Sequence, residues 1–466
     1  MRPLSPVAAT PEQLAIFSRV RGGIEVIRGA AGSGKTTTAI LKLQANIGSF
    51  VMRHKRAGLR RPVRVLVLTF NRTLRGYVEA LARGQVAESK EVELDVMTFG
   101  KWAHVALGEP PLMDAKESAA VIEGLGAGLG LDDYLVQEVD YILGRFVPAD
   151  LDSYLTARRE GRGSVPRIDR PTRERLLKEV VRPYISWRNK QEAIDWNELA
   201  VRAAAKKLYE YDIVVIDEGQ DFSANQVRAV LKQLAPTHSV TFVIDTVQRI
   251  YARGFTWSEV GVTLRPEASY KLQVNYRNTK QVATLAASIL DGIEVDDDGS
   301  IPDLTRCERS GALPVVLAGK YAAQVKYAID YIQSKINLEK ESVAFLHPKG
   351  FGWFSTLSAA LTKAGLRYVD IARSNNWPKG TENIALSTLH SAKGLEFDHV
   401  IVLGINAEVI PAGELAKGDD RNTAARKLLA MGVTRAKQSV ILGYKRDEAS
   451  QLMQLIDKKT YKEVKV

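Results

Sequence analysis

The sequence predicts an α/β fold built on parallel sheets, with an α-helical segment inserted into it. Three observations carry that prediction. A short apolar strand, Ile24 to Ile27, runs into Gly29-Ala30-Ala31-Gly32-Ser33-Gly34-Lys35-Thr36, which fits the phosphate-loop pattern G-x-x-x-x-G-K-[ST]. A second apolar run, Ile213-Val214-Val215-Ile216, delivers Asp217 and Glu218 at its C-terminal end, the edge at which parallel sheets bind ligands. From about His104 to Lys206, apolar residues recur at helical spacing, as in Tyr134-Leu135-Val136 through Tyr141-Ile142-Leu143.

Each element has a chemical reading. A strand that turns through glycines into a helix aims several backbone N–H groups at one point, and the helix N-terminus adds partial positive charge there. Gly29, Ala30, Gly32, Ser33, Gly34, Lys35, Thr36 and Thr37 are therefore expected to cradle a polyphosphate. Lys35 is placed to reach the β- and γ-phosphates of ATP, and the Thr36 hydroxyl to ligate Mg²⁺. Asp217 is suited to hold the same Mg²⁺, directly or through water, and Glu218 to act as base or to orient the attacking water. Val63 to Thr69 and Val240 to Asp245 read as further strands of a sheet covered on both faces.

Composition narrows the function classes. At 466 residues the chain has room for two or three domains. A net charge of +11 favours a polyanionic partner. The single cysteine, Cys307, excludes an intramolecular disulfide and a cysteine-cluster metal site, and it fits a reducing compartment. The N-terminal region has no apolar signal-peptide core and no stretch approaches a membrane span, so a cytoplasmic protein without a membrane partner is expected.

Further motifs follow in order along the chain. Gln13, in Thr10-Pro11-Glu12-Gln13, precedes the phosphate loop, and Leu68-Thr69-Phe70-Asn71 and Met97-Thr98-Phe99 close two strands. Gln248 lies in Val243-Ile244-Asp245-Thr246-Val247-Gln248-Arg249-Ile250-Tyr251. Then come Asn275-Tyr276-Arg277, Ser387-Thr388-Leu389-His390-Ser391-Ala392-Lys393-Gly394-Leu395-Glu396-Phe397 and Val433-Thr434-Arg435-Ala436-Lys437. Together, from Gln13 to Lys437, these strings resemble the motifs of superfamily 1 helicases of the UvrD/Rep type.

The resemblance implies two RecA-like P-loop NTPase domains. The first takes residues 1–104 and 206–270, the helical insertion residues 105–205, and the second residues 271–466. It implies that Gln13 and Tyr276 hold adenine with Glu396 near the ribose, and that Gln248, Arg277 and Arg435 sense or stabilise the γ-phosphate. Phe70, Asn71, Thr98, Phe99, Thr388 and His390 would line a path for single-stranded DNA, with movement 3′ to 5′. An arginine at the γ-phosphate stabilises charge spreading over its equatorial oxygens. If Arg277 and Arg435 sit on the second domain, they complete the site only on closure, which ties closing to ATP and opening to hydrolysis.

The departures from that family are also informative. Gly100-Lys101-Trp102 stands where many relatives have histidine, and Ala430-Met431 where an aromatic is common. Phe255 or Trp257 offers a π-face for base stacking, and Trp257 joins the DNA-path candidates. Arg158, Arg159, Arg162, Arg167, Arg170, Arg173, Arg175, Lys178 and Arg182 crowd one stretch of the insertion, with Gly161, Gly163 and Pro166 expected to break any continuous helix; phosphate contact is expected there. Asp296-Asp297-Asp298-Gly299-Ser300 reads as an acidic surface loop. The interval from Arg277 to Thr388 has only the length needed to finish a RecA-like fold, so the large second insertion of unwinding relatives is missing. The expected partner is single-stranded DNA, including a junction with duplex. A protein partner such as a nuclease is also expected, and the alternative to a motor is an ATP-gated switch that needs such a partner.

Overall fold

Strands that are apolar on both faces must be covered on both faces, and the chain does this twice. The computed structural model describes residues 9–29, 32–69, 75–76, 78–79, 90–158, 168–245, 254–293, 307–350, 352–372, 378, 380–411 and 419–466. The first sheet comprises β1 (Gly23–Gly29), β2 (Val63–Thr69), β3 (Val92–Thr98), β4 (Tyr211–Ile216), β5 (Leu234–Ile244) and β6 (Ser269–Leu272). Its order is β3-β2-β4-β5-β1-β6, and each adjacent pair is parallel. β4 is buried at every residue, as its unbroken apolar run requires. β6 carries this sheet to Leu272, two residues beyond the boundary expected at 270, because it pairs with β1 from Val26 to Gly29.

After the short parallel pair β7 (Asn275–Thr279) and β8 (Cys307–Arg309), a second sheet forms. It contains β9 (Val315–Ala318), β10 (Val343–His347), β11 (Val369–Asp370), β12 (Ile384–Thr388), β13 (Phe397–Val402), β14 (Ala436–Tyr444) and β15 (Lys462–Lys465). Its order is β11-β12-β10-β13-β14-β9-β15, again parallel throughout. Apart from the β7–β8 pair, the described elements between Arg277 and Thr388 are strands of this sheet and helices of its layers. One apolar core runs from the first sheet (Val65, Val67, Val215) through Val282, Leu285 and Ala286 to the second (Ala344, Leu346, Val400).

Two helices flank the phosphate loop. Helix α1 (Pro11–Phe17) starts with a capping box: the Thr10 hydroxyl accepts the Gln13 N–H, and Gln13 Oε1 accepts the Thr10 N–H. Helix α2 (Lys35–Arg56) leaves the loop and buries Ala39, Ile40, Leu43, Ile47 and Phe50, a stripe at helical spacing, in the core of the first sheet.

Helices within residues 115–188 share their own core, in which Leu135, Val139 and Ile142 pack with Leu177, Val180 and Tyr184, whereas Leu199, Ala200 and Ala203 of the Trp196–Ala205 helix pack into the core of the first sheet. The basic stretch departs from expectation. Gly161, Gly163 and Pro166 lie outside the described residues, whereas 170–188 is one helical run with a π-wound centre at Leu176–Val181, just before Pro183. Arg173 is committed to the carbonyls of Ile168, Tyr154 and Ala157. Arg170, Arg175 and Arg182 form exposed pairs with Glu174, Glu179 and Asp152. Such pairs are worth only ~0–1 kcal/mol each. This part of the stretch is thus an ion-paired helix face rather than a loop.

Candidate nucleotide cleft

The site is assembled from turns at the C-terminal ends of both sheets. After β1, Gly32 and Gly34 take φ of +83° and +77°, which glycine adopts without penalty. A Cβ on Gly32 would lie 2.2 Å from Asn275 Oδ1, so glycine is also needed for close approach. That approach lets the Gly32 carbonyl accept N–H bonds from Tyr276 and Arg277, both at 3.2 Å. The phosphate loop is therefore tied directly to the tyrosine-arginine strand. Gln13 is buried, and its Nε2 donates to the Gly34 carbonyl at 3.4 Å.

Lys35 Nζ donates to the Gly29 carbonyl at 2.9 Å and pairs with Asp245 Oδ2 at 3.0 Å. The Thr36 hydroxyl donates to Asp217 Oδ1 at 3.0 Å. Burial and the adjacent Glu218 push the Asp217 carboxyl up to about 7. Glu218 sits in left-handed backbone at φ +54°, immediately after the Asp217 turn. Burial would raise its carboxyl too, but Lys393, Arg435 and Lys35 outweigh that and hold it below the usual glutamate range. Gln220 orients this group, with Nε2 donating to Glu218 and Oε1 accepting the Asp245 N–H at 2.9 Å. Neighbouring carboxyls thus diverge, Asp217 pushed towards its protonated form and Glu218 held ionised.

Residues that follow the first sheet supply the other wall. Lys393, 1 % exposed at its side chain, pairs with Asp221 and lies 3.6 Å from Glu218 Oε2. Arg277 pairs with Glu396, and Lys437 Nζ is 3.9 Å from the same carboxylate. Arg435 is buried, and desolvation together with Arg277 lowers its guanidinium to about 10. Asn278 Nδ2 donates to the carbonyls of Thr434 and Ala436, one on each side of Arg435, while Asn278 Oδ1 accepts from Asn275. A continuous chain of contacts therefore runs from Gly32 through Asn275 and Asn278 to the Arg435 backbone. Gly32, Gly34, Lys35, Thr36, Thr37, Asp217, Glu218, Asp245, Arg277, Gly394, Glu396 and Arg435 line one cleft of about 490 Å³.

Most expected nucleotide residues converge here. Ala30, Phe70, Asn71, Gln248 and the acidic stretch 296–300 lie outside the described residues. Ser33 is buried, and Tyr276 is half-buried beside the loop. The DNA-path residues divide. Thr98 caps the Phe99–Ala106 helix, accepting the Lys101 N–H at 3.3 Å. Thr388 ends β12 with its hydroxyl bonded to Ser391, and His390 is exposed.

Phe99 and Trp257 depart from expectation. Phe99 is 5 % exposed, with its ring 5.5 Å from Trp102 and 6.1 Å from Phe222, so it belongs to the core rather than to a surface path. Trp257, half-buried, packs edge-on to Phe242 at 4.8 Å and to Phe255 at 5.9 Å, so at least part of its ring braces β5. The residues missed in the sequence are Asp245, Gln220, Asp221, Lys393, Asn275 and Asn278. Asp245, Lys393 and Asn275 stand inside the motif strings and the others within a few residues of one, but their contacts depend on partners brought close only by folding.

A testable consequence concerns Asp217. Its folded carboxyl is raised above its unfolded value of 3.8, so it stabilises the protein only at low pH, and that contribution is lost as pH rises through about 7. Asp217→Asn removes this cost. Without Mg²⁺ the variant is expected to melt about 2–4 °C above the parent at pH ~8, with the difference shrinking as pH falls and vanishing near pH ~4, while losing Mg²⁺-dependent nucleotide binding. Thermal melts at both pH values check it, and a lower melting temperature at pH ~8 would contradict it.

Residues 12–253, more than half of the chain, match the AAA domain family, and residues 354–447 match the UvrD-like helicase C-terminal domain. A probable DNA helicase of Mycoplasma pneumoniae is 26% identical over 241 residues, covering 49% of this chain and 42% of its own. DNA helicase II of Haemophilus influenzae is 32% identical over 111 residues, covering 23% of this chain and 15% of its own. DNA helicase II of Escherichia coli is 35% identical over 88 residues, covering 19% and 12% respectively. The matched segments thus span less than half the length of these relatives. Two parallel RecA-like sheets meet at one phosphate-loop cleft, and the matches fall on both, so the chain belongs to the UvrD/Rep-like family of helicases.

Proposed function

We propose that the chain is an ATP-driven motor on single-stranded DNA that hydrolyses ATP with Mg²⁺ in the cleft between its two RecA-like units. The observation that carries this reading is the two-sided lining of that cleft, with Lys35, Thr36 and Glu218 from one side and Arg277, Glu396 and Arg435 from the other. The oxygen donors Thr36 and Asp217 suit Mg²⁺, which favours hard oxygen ligands and is held jointly with substrate phosphates. Bound Mg-ATP supplies the phosphoryl group and a cation that neutralises its developing charge. Lys35 holds phosphate oxygens, Glu218 accepts the proton of the attacking water, and Arg277 and Arg435 stabilise charge in the transition state. Gln13 and Tyr276 hold adenine beside the loop. Because Arg277 and Arg435 come from beyond the first sheet, closure of the cleft completes the site, and release of phosphate reopens it.

Thr98, Thr388 and His390 are the described residues we assign to the DNA path, and resemblance supports 3′ to 5′ movement. A second reading is favoured by the short Arg277–Thr388 interval, whose described elements beyond the β7–β8 pair are strands of the second sheet and helices of its layers. In that reading ATP closes a clamp that serves a protein partner such as a nuclease, and the chain does not unwind duplex alone.

The deciding experiment is steady-state ATP hydrolysis with single-stranded DNA, duplex DNA and RNA of matched length. Stimulation of at least about tenfold by single-stranded DNA alone is expected. Turnover indifferent to nucleic acid would favour the partner-gated clamp, and no turnover under any condition would overturn the ATPase reading.

A further inference from the structure

The helical insertion meets the second RecA-like unit at a polar contact away from the cleft. Tyr134, on the Asp132–Arg145 helix, is 9 % exposed, and its hydroxyl donates to Asp419 Oδ1 at 2.5 Å, across 285 residues of chain. The Arg421 guanidinium lies 5.1 Å from the centroid of the Tyr134 ring and pairs with Asp419 Oδ2 at 3.1 Å. A phenol buried beside a carboxylate is costly unless its hydrogen bond is made. Here burial and Asp419 push the Tyr134 hydroxyl up to about 12, so it stays a donor.

Asp419 has a second task. It is the N-cap of the Asp420–Val433 helix, and its side chain accepts the Arg421 N–H at 2.8 Å. That helix is ~20 Å long, and its C-cap is Thr434, the residue before Arg435. Leu428, Leu429, Ala430, Met431 and Val433 bury its final turns, and Arg435 Nε donates back to the Met431 carbonyl at 3.1 Å. A close-packed helix moves as a unit, so a shift at its capped end reaches the arginine at its other end.

We propose that Tyr134 is a positioning residue for ATP turnover: through Asp419 it sets the helix that carries Arg435, and so couples the helical insertion to the nucleotide cleft. The inference rests on the reading of Arg435 as a group that stabilises the γ-phosphate. It makes the insertion a sensor. A change in its posture, such as one imposed by bound nucleic acid, moves the finger without touching the nucleotide. It also explains why the contact is polar and directional, because an apolar seam would tolerate sliding that this hydrogen bond does not.

Tyr134→Phe removes the hydroxyl but keeps the ring under Arg421, and Asp419→Asn keeps a good N-cap while removing the charge. Steady-state kcat and KM for ATP are measured for the parent, both single variants and the double variant, with melting temperatures alongside. A group that acts only in the transition state changes kcat and leaves nucleotide affinity alone. The expected result is a kcat lowered about three- to tenfold in each single variant, with KM within about twofold and melting within about 2 °C. The double variant should be no slower than Tyr134→Phe alone, because Asp419→Asn keeps an accepting oxygen and can only weaken the bond that Tyr134→Phe has already removed.

Parental kcat in Tyr134→Phe overturns the inference, as does a loss that merely follows a drop in melting temperature. If one variant does not fold, the other decides by the same criteria. A parent protein without turnover would instead count against the ATPase reading, so the two failures are distinguishable.

Discussion

Glu218→Gln is expected to lower ATP turnover by about 10²–10⁴-fold, the usual contribution of a positioned general base, while leaving nucleotide binding nearly intact. The separation follows from geometry. The groups proposed to face phosphate, Lys35 and Thr36, bond to the Gly29 carbonyl, Asp245 and Asp217. Glutamine keeps an oxygen to accept the Gln220 side-chain N–H and has nearly the same volume in the left-handed turn at 218. Lys393 loses one carboxylate neighbour but keeps Asp221. The variant should therefore fold, bind a fluorescent ATP analogue with an affinity close to the parent's, and fail to turn over. Turnover within tenfold of the parent would remove Glu218 as the base.

Lys393→Met is expected to have the largest effect on closure. Lys393 and Asp221 are almost completely buried, and breaking a buried ion pair by deleting one partner costs about 3–5 kcal/mol because the remaining charge is stranded. Asp221 belongs to the turn after β4, whereas Lys393 follows β12 of the second sheet. The protein can escape part of that cost by opening the cleft and wetting Asp221. The loss should accordingly appear as weakened nucleotide-dependent closure, read by small-angle scattering with and without an ATP analogue, more than as unfolding.

A pH signature accompanies it. Of the charges that lower the Glu218 carboxyl against the effect of burial, Lys393 is the largest, and a base works only when unprotonated. Removing Lys393 raises that carboxyl, so residual activity should be lost on acidification at a higher pH than in the parent. An unchanged acidic limb, or closure indistinguishable from the parent's, would show that the pair is not part of the site's electrostatics.

The parts of the site written in contiguous residues were legible beforehand. The glycine-rich turn needs its glycines, its lysine and its threonine within one short string, because backbone N–H groups can converge only locally. Asp217 and Glu218 were legible for a related reason: a strand buried on both faces has one end at the ligand edge, and its next residues must lie there. The reading of Lys35 against Asp245, 210 residues away, or of Lys393 against Asp221, 172 residues away, had no such local constraint. Phe99 and Trp257 fared worse for a different reason. An aromatic ring in a motif has the same composition whether it faces a base or a core, and only packing separates the two.

By itself, therefore, the sequence determined the α/β class, the phosphate loop, the paired carboxylates, the helical insertion and the order of motifs that marks the family. Each depends on local periodicity or on a short string whose chemistry is complete in itself. The tertiary structure alone decided that Asn278 clamps the backbone around Arg435, that Lys393 reaches Asp221 and approaches Glu218, and that the Tyr134 hydroxyl donates to Asp419. It also turned Phe99 and Trp257 into packing residues and the basic stretch after Ile168 into an ion-paired helix. These outcomes depend on which side chains meet after distant segments pack, and such meetings are set by the summed burial of whole elements rather than by any one string.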